Sequence, residues 1–199
     1  MKFFVNFLSA FRIATAFIII PALMYQWYWL AFILYAIAAV SDFFDGWLAR
    51  KYDVCSKIGG VMDHIGDKLL VVNTLAMLMV MMPVWFIVVP VILMIARELY
   101  VSGLREFLGT QKIEMPVPKA RFSMGKVKTT FQMITAGAFL LLFAISTLIT
   151  PETISRTYLM AMNWFSQIGI VGLWLSLVAS LWSATQYTRT FVTKLKKIK

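Results

Sequence analysis

Four aspartates carry the strongest chemical signal in this 199-residue chain. They lie in Asp42-Phe-Phe-Asp45-Gly46-Trp-Leu-Ala49-Arg50 and, after a short intervening stretch, in Gly59-Gly-Val-Met-Asp63-His-Ile-Gly-Asp67. In a helix each residue advances by about 100°. Asp42, Asp45, Gly46 and Ala49 then share an arc of about 100°, and Gly59, Asp63 and Asp67 fall within about 80°. Each run therefore offers one acidic face edged by small residues, and a hairpin of the two lets the faces meet. Carboxylates gathered in this way cannot all stay ionised without cations. Hard divalent ions with oxygen ligands are the natural partners, Mg²⁺ first and Mn²⁺ next. Two such ions would suit an in-line displacement at phosphorus. Gly46 and Gly59, lacking side chains, leave room for a nucleotide against the backbone. Arg50 offers a planar fork of donors to a phosphate. A single aspartate near a helix end is ordinarily just solvated; four on two matching faces reverse those odds. A cation channel or transporter also places acids inside membranes, but has no evident need of the glycines or of Arg50.

The elements that must position these residues are apolar. The chain is 61% hydrophobic and 14% charged, with mean hydropathy +0.80; a soluble domain is about half apolar and a quarter charged. This indicates an all-α integral membrane protein. Six apolar segments are expected: 12–25, preceded by a short interfacial piece at 3–11, then 29–48, 58–82, 84–107, 122–149 and 158–187. They use nearly the whole length, so a single domain over 1–199 is expected, with no room for a soluble one. No leader peptide is expected: only Lys2 precedes the first apolar stretch, Arg12 interrupts it, and Pro21 to Trp29 offers no clean cleavage site. Cys55 is the only cysteine, so no intrachain disulfide can form.

The net charge is +10, and the basic residues alternate by loop. Lys2 and Arg12 flank the first span; Arg50, Lys51 and Lys57 follow the second; Arg105, Lys112, Lys119, Arg121, Lys126 and Lys128 lie between the fourth and fifth; Arg189, Lys194, Lys196, Lys197 and Lys199 follow the sixth. The opposite loops are nearly bare. Both termini are then cytoplasmic, and Trp27, Trp29 and Trp85 fall at the outer interface. Beside apolar segments such charge reads as topology and lipid headgroup contact rather than nucleic-acid binding.

The aspartate stretch resembles the signature of the CDP-alcohol phosphotransferase family, D-x-x-D-G-x-x-A-R-x8-G-x-x-x-D-x-x-x-D, with every defined position filled. The resemblance implies six transmembrane helices, commonly as homodimers, and attack of an alcohol on the β-phosphorus of a CDP-linked donor with release of CMP. It also implies that Asp42, Asp45, Asp63 and Asp67 bind two divalent ions, that Asp67 is the base, that Gly46, Arg50 and Ser56 contact the CDP part, and that Ala49 and Gly59 make room for it.

A second region, at about 95–130, points to the alcohol. Ile95-Ala-Arg97-Glu98-Leu-Tyr-Val-Ser102-Gly103-Leu-Arg105-Glu106, with Gly125-Lys126-Val-Lys128-Thr129-Thr130, resembles the phosphatidylglycerophosphate synthase branch of that family. So does the opening Asn6-Phe-Leu-Ser9-Ala-Phe-Arg12. Glycerol 3-phosphate is a small dianion that needs several cations, for which Arg97, Arg105, Lys126 and Lys128 are the candidates. The lysines are equally explained as juxtamembrane charge, and Glu98 as a partner for an arginine. That branch commonly reads D-P-x-A-D-K where this chain has Asp63-His64-Ile65-Gly66-Asp67-Lys68. His64, the single histidine, is read as a spacer about 100° away from Asp63.

The expectation is a membrane enzyme passing a phosphatidyl group from CDP-diacylglycerol to glycerol 3-phosphate at the cytoplasmic face of a bacterial inner membrane. The same family with phosphatidylglycerol or inositol phosphate as acceptor is the nearest alternative. An aspartate-rich intramembrane prenyltransferase and a cation transporter are more remote.

Overall fold

The computed structural model describes residues 2–52, 57–111, 124–148 and 156–195, with side chains described over 7–41, 59–111, 128–148, 156 and 159–195. Six helices form in chain order: α1 (Lys2–Met24), α2 (Tyr28–Tyr52), α3 (Lys57–Met81), α4 (Trp85–Thr110), α5 (Met124–Ser146) and α6 (Arg156–Leu195). Among the described residues every regular element is a helix. Five of the helices, all but α2, are long and apolar enough to cross a membrane, and α2 holds a shorter apolar stretch, Tyr28–Ser41. The chain is an integral membrane protein, and the many exposed apolar side chains, Phe17 and Trp164 among them, are groups that lipid can cover.

One expectation is corrected. Residues 3–11 are not a separate interfacial piece but the first turns of α1. No Gly or Pro interrupts Lys2–Arg12, and Arg12, which reads as a boundary charge, is instead buried within the helix.

The helices distribute over two compact units, Met1–Met82 with Met133–Gly169, and Pro83–Gln132 with Ile170–Lys199. In the first unit α1 packs against α2 and most extensively against α3. Small buried residues, Ala16 and Ala22 on α1 and Ala31 and Ala38 on α2, allow the close backbone approach typical of helices in lipid. Asn73 Nδ2 donates to the Ala16 carbonyl at 2.9 Å, tying α3 to α1. The Tyr35 hydroxyl, on a side chain 2% exposed, donates to the Met133 carbonyl at 3.0 Å. The α1–α2 turn closes with a Schellman pair: Trp27 N–H donates to the Ala22 carbonyl at 2.7 Å and Gln26 N–H to that of Leu23 at 3.1 Å. Gln26 takes the left-handed φ of 62° usual for glycine in this motif.

In the second unit α4 and the later half of α6 run parallel, since later residues of one meet later residues of the other: Phe86 meets Trp174, Arg97 meets Ser183, Tyr100 meets Thr188 and Phe107 meets Phe191. Pro90 lies inside α4. Having no N–H, it leaves the carbonyl four residues earlier, that of Phe86, without its helical donor. Trp174 Nε1–H donates to that carbonyl at 3.0 Å. A backbone acceptor left unpaired in a packed helix is costly, so the indole completes the helix from outside.

Candidate active site

Both acidic runs are helical, as their spacing requires. Asp42, Asp45, Gly46, Ala49 and Arg50 lie in the C-terminal part of α2, and Gly59, Asp63 and Asp67 in the N-terminal half of α3. The side chains of these α2 residues lie outside the described residues, as do Ser56 and Cys55 altogether. Gly59 is buried and His64 exposed.

On α3 the i+4 step brings Asp63 and Asp67 to one point, which is a cation. Arg12 Nη1 donates to Asp63 Oδ1 at 2.7 Å and to Asp67 Oδ1 at 2.5 Å. The Arg12 side chain is fully buried, while those of Asp63 and Asp67 stay 43% and 28% exposed. The carboxylates thus contact Arg12 and stay partly exposed. A single bare guanidinium would be very costly to bury, and the paired acids are what keep it in the α1–α3 interface. Gly66 lies beside this contact: a Cβ there would lie 3.4 Å from Ile13 Cγ1 and 3.5 Å from Arg12 Cβ, ordinary van der Waals contact.

The donor set fits a divalent ion. Two hard carboxylate oxygens already converge on one positive atom, and Mg²⁺ and Mn²⁺ favour such ligands. Among the described residues no group of three acids, histidines or cysteines gathers; Asp63 and Asp67 are the described pair of the four aspartates.

The proposed acceptor cations lie in the second unit, where Glu98 and Tyr187 organise them. Arg97 is 7% exposed. Its Nε donates to the Ser180 carbonyl at 3.0 Å, its Nη2 to Ser183 Oγ at 2.9 Å and its Nη1 to Glu98 Oε2 at 2.8 Å. The same Glu98 oxygen accepts from Lys128 Nζ at 2.5 Å, and Lys128 is 5% exposed. One carboxylate oxygen thus bridges two buried cations, as an anion at this place must. Arg105 Nη2 donates to the Tyr187 hydroxyl at 2.6 Å. The Tyr187 ring lies 4.8 Å from the Arg105 guanidinium carbon and 6.0 Å from that of Arg97. Lys126 is in α5, with its side chain outside the described residues.

Sequence reasoning thus missed two organising residues. Arg12 carried a signal, a charge interrupting an apolar run. Tyr187 carried none beyond being an aromatic near the basic end of α6.

The profile of the CDP-alcohol phosphatidyltransferase family matches residues 3–182. The chain belongs to the CDP-alcohol phosphatidyltransferase family. The matched region takes in Arg12, the aspartate stretch and the Arg97–Lys128 cluster. Members of this family are generally dependent on a divalent metal. Among curated relatives, a Rickettsia bellii protein is 38% identical over 68% of this chain and 74% of its own length. A Pectobacterium atrosepticum protein is 33% identical over 90% of each chain, and a Blochmanniella floridana protein 28% identical over 91% of this chain and 86% of its own. All three are named CDP-diacylglycerol–glycerol-3-phosphate 3-phosphatidyltransferase.

Proposed function

We propose that this protein transfers a phosphatidyl group from CDP-diacylglycerol to glycerol 3-phosphate, yielding phosphatidylglycerophosphate and CMP. The observation that carries the reading is the similarity to relatives of that name, which in one case covers 90% of both chains. The buried cations around Glu98 support a phosphorylated acceptor. In this reading the chain is one domain of six spans in a bacterial cytoplasmic membrane, working as a homodimer, with its site and both termini in the cytoplasm.

The four aspartates, Asp42, Asp45, Asp63 and Asp67, would hold two divalent ions, which supply charge neutralisation at the pyrophosphate and on the departing CMP. Gly46, Ala49, Arg50, Ser56 and Gly59 bind the CDP portion. Arg97, Arg105, Lys126 and Lys128 bind the acceptor phosphate and hold its hydroxyl in line with the β-phosphorus. The hydroxyl oxygen forms a bond to that phosphorus as the bond to CMP breaks, and an Asp67 carboxylate oxygen takes the proton.

The test is CMP release by the purified protein with CDP-diacylglycerol and a panel of alcohols. Glycerol 3-phosphate should support it; release only with phosphatidylglycerol or inositol phosphate would replace the acceptor. Asp42→Asn should lose donor and metal binding together. Asp67→Asn should keep much of the donor affinity and lose about 10²–10⁴-fold in turnover. Near-normal turnover of that variant would remove Asp67 as the base.

A further inference from the structure

Arg12 stands where a cofactor cation would find its ligands, and this gives it a role beyond membrane topology. We propose that Arg12 is a positioning residue: an internal counter-cation that holds Asp63 and Asp67 together in the metal-free protein and competes with the entering divalent ion for their oxygens. The proposal rests on the reading that these carboxylates are metal ligands.

Three observations carry it. One nitrogen, Nη1, serves both acids, at 2.7 and 2.5 Å, so the two carboxylates are gathered around one positive atom. The Arg12 side chain is fully buried, whereas the acids are 43% and 28% exposed, so an ion can approach them from the side that Arg12 does not occupy. And α1, which carries Arg12, packs more extensively on α3 than on α2, so the guanidinium is fixed by the fold. The charge logic follows. Without a cation, two carboxylates one helical turn apart repel each other. Arg12 relieves that repulsion before the ion arrives. Once the ion is present, Arg12 and the ion are like charges sharing one pair of ligands. Arg12 therefore stabilises the metal-free state more than the loaded one, and lowers metal affinity.

A merely structural arginine predicts the opposite sign, because its loss would disorder the acids and weaken metal binding. The experiment measures Mn²⁺ binding to the purified full-length protein by electron paramagnetic resonance, and thermal unfolding in a chelator and in Mn²⁺. The proteins are the wild type, Arg12→Gln, Arg12→Lys and Asp67→Asn. Arg12→Gln should bind Mn²⁺ about tenfold more tightly or better, the scale of one charge-assisted contact. It should unfold at lower temperature in chelator and recover most of the difference in Mn²⁺. Arg12→Lys, which keeps the charge, should lie between it and the wild type. If Arg12→Gln binds Mn²⁺ as the wild type does, or more weakly, while Asp67→Asn binds it poorly, the counter-cation role falls and the metal site stands. If Arg12→Gln does not fold, weaker Mn²⁺ binding by Arg12→Lys than by the wild type overturns the role, since that is the sign a merely structural arginine gives. If Asp67→Asn binds Mn²⁺ like the wild type, the α3 carboxylates are not ligands, and both readings fall.

Discussion

Arg105 is held by both faces of the chemistry of Tyr187: its Nη2 donates to the hydroxyl at 2.6 Å, and its guanidinium carbon lies 4.8 Å from the ring centroid. Tyrosine is suited to this, since the ring quadrupole attracts the cation while the hydroxyl fixes its direction. If Arg105 binds the acceptor phosphate, Tyr187 orients it. Arg105→Ala should raise the KM for glycerol 3-phosphate roughly 10- to 150-fold, the equivalent of about 1.5–3 kcal/mol for a charged hydrogen bond. Tyr187→Phe keeps the ring and should give a smaller rise, with the two effects less than additive in the double variant. The KM for CDP-diacylglycerol should hardly move. Equal shifts in both KM values would take Arg105 and Tyr187 out of the acceptor site.

Gly66 stands where the resembled branch carries alanine, and the space for that alanine is present. A Cβ would meet Ile13 and Arg12 at 3.4–3.5 Å, ordinary contact, and among the described residues no glycine has a positive φ. Gly66→Ala should therefore gain the helix-propensity difference of about 0.5–1 kcal/mol. For a chain of this size that is a rise of about 1–4 °C in Tm, read by thermal unfolding in detergent with and without Mn²⁺. A fall would mean that Arg12 needs the room that Gly66 leaves.

What the sequence made legible is what local rules govern. Hydropathy located the six helices of the described residues, and the i+4 step of Asp63 and Asp67 survives in α3 because helical geometry is set within one turn. Glu98 pairs with an arginine, as its neighbour Arg97 suggested. What was not legible is set by packing across long separations. Arg12 reaches acids 51 and 55 positions away, so hydropathy alone takes it for the edge of a span. Tyr187 lies 82 positions from Arg105, and no pattern in either segment announces the pair.

The length of α6 bears on topology. Its residues Arg156–Leu195 span about 60 Å at 1.5 Å per residue, against a hydrocarbon core of about 30 Å. The helix must extend beyond that core, and its last turn carries Lys194, with Arg189 before it. The positive-inside rule would put this end in the cytoplasm. Single cysteines placed at Ser155 and at Lys197, in a Cys55→Ser background, should react with a membrane-impermeant thiol reagent from opposite sides. Labelling of both from the same side would refute the orientation and the six-span count.

The Pro90–Trp174 pair allows a sharper test, because two distant residues answer one backbone defect. Pro90 removes the N–H that the Phe86 carbonyl would accept from, and Trp174 Nε1–H replaces it at 3.0 Å. Trp174→Phe keeps an aromatic ring beside Trp85, whose ring centroid is now 6.3 Å from that of Trp174, but leaves the carbonyl without its donor. Leaving that carbonyl unsatisfied should cost about 1–3 kcal/mol. Pro90→Ala supplies a helical N–H of its own, so the same Trp174→Phe change should cost much less in that background. The measurement is a double-mutant cycle on stability in detergent, with a coupling energy of about 1 kcal/mol or more expected for groups in contact. The sign is the decisive part. If Trp174 served only to fill space, Trp174→Phe would cost the same with proline or alanine at position 90, and the coupling would vanish. A cost confined to the proline background would mean that the indole serves as the missing donor of α4.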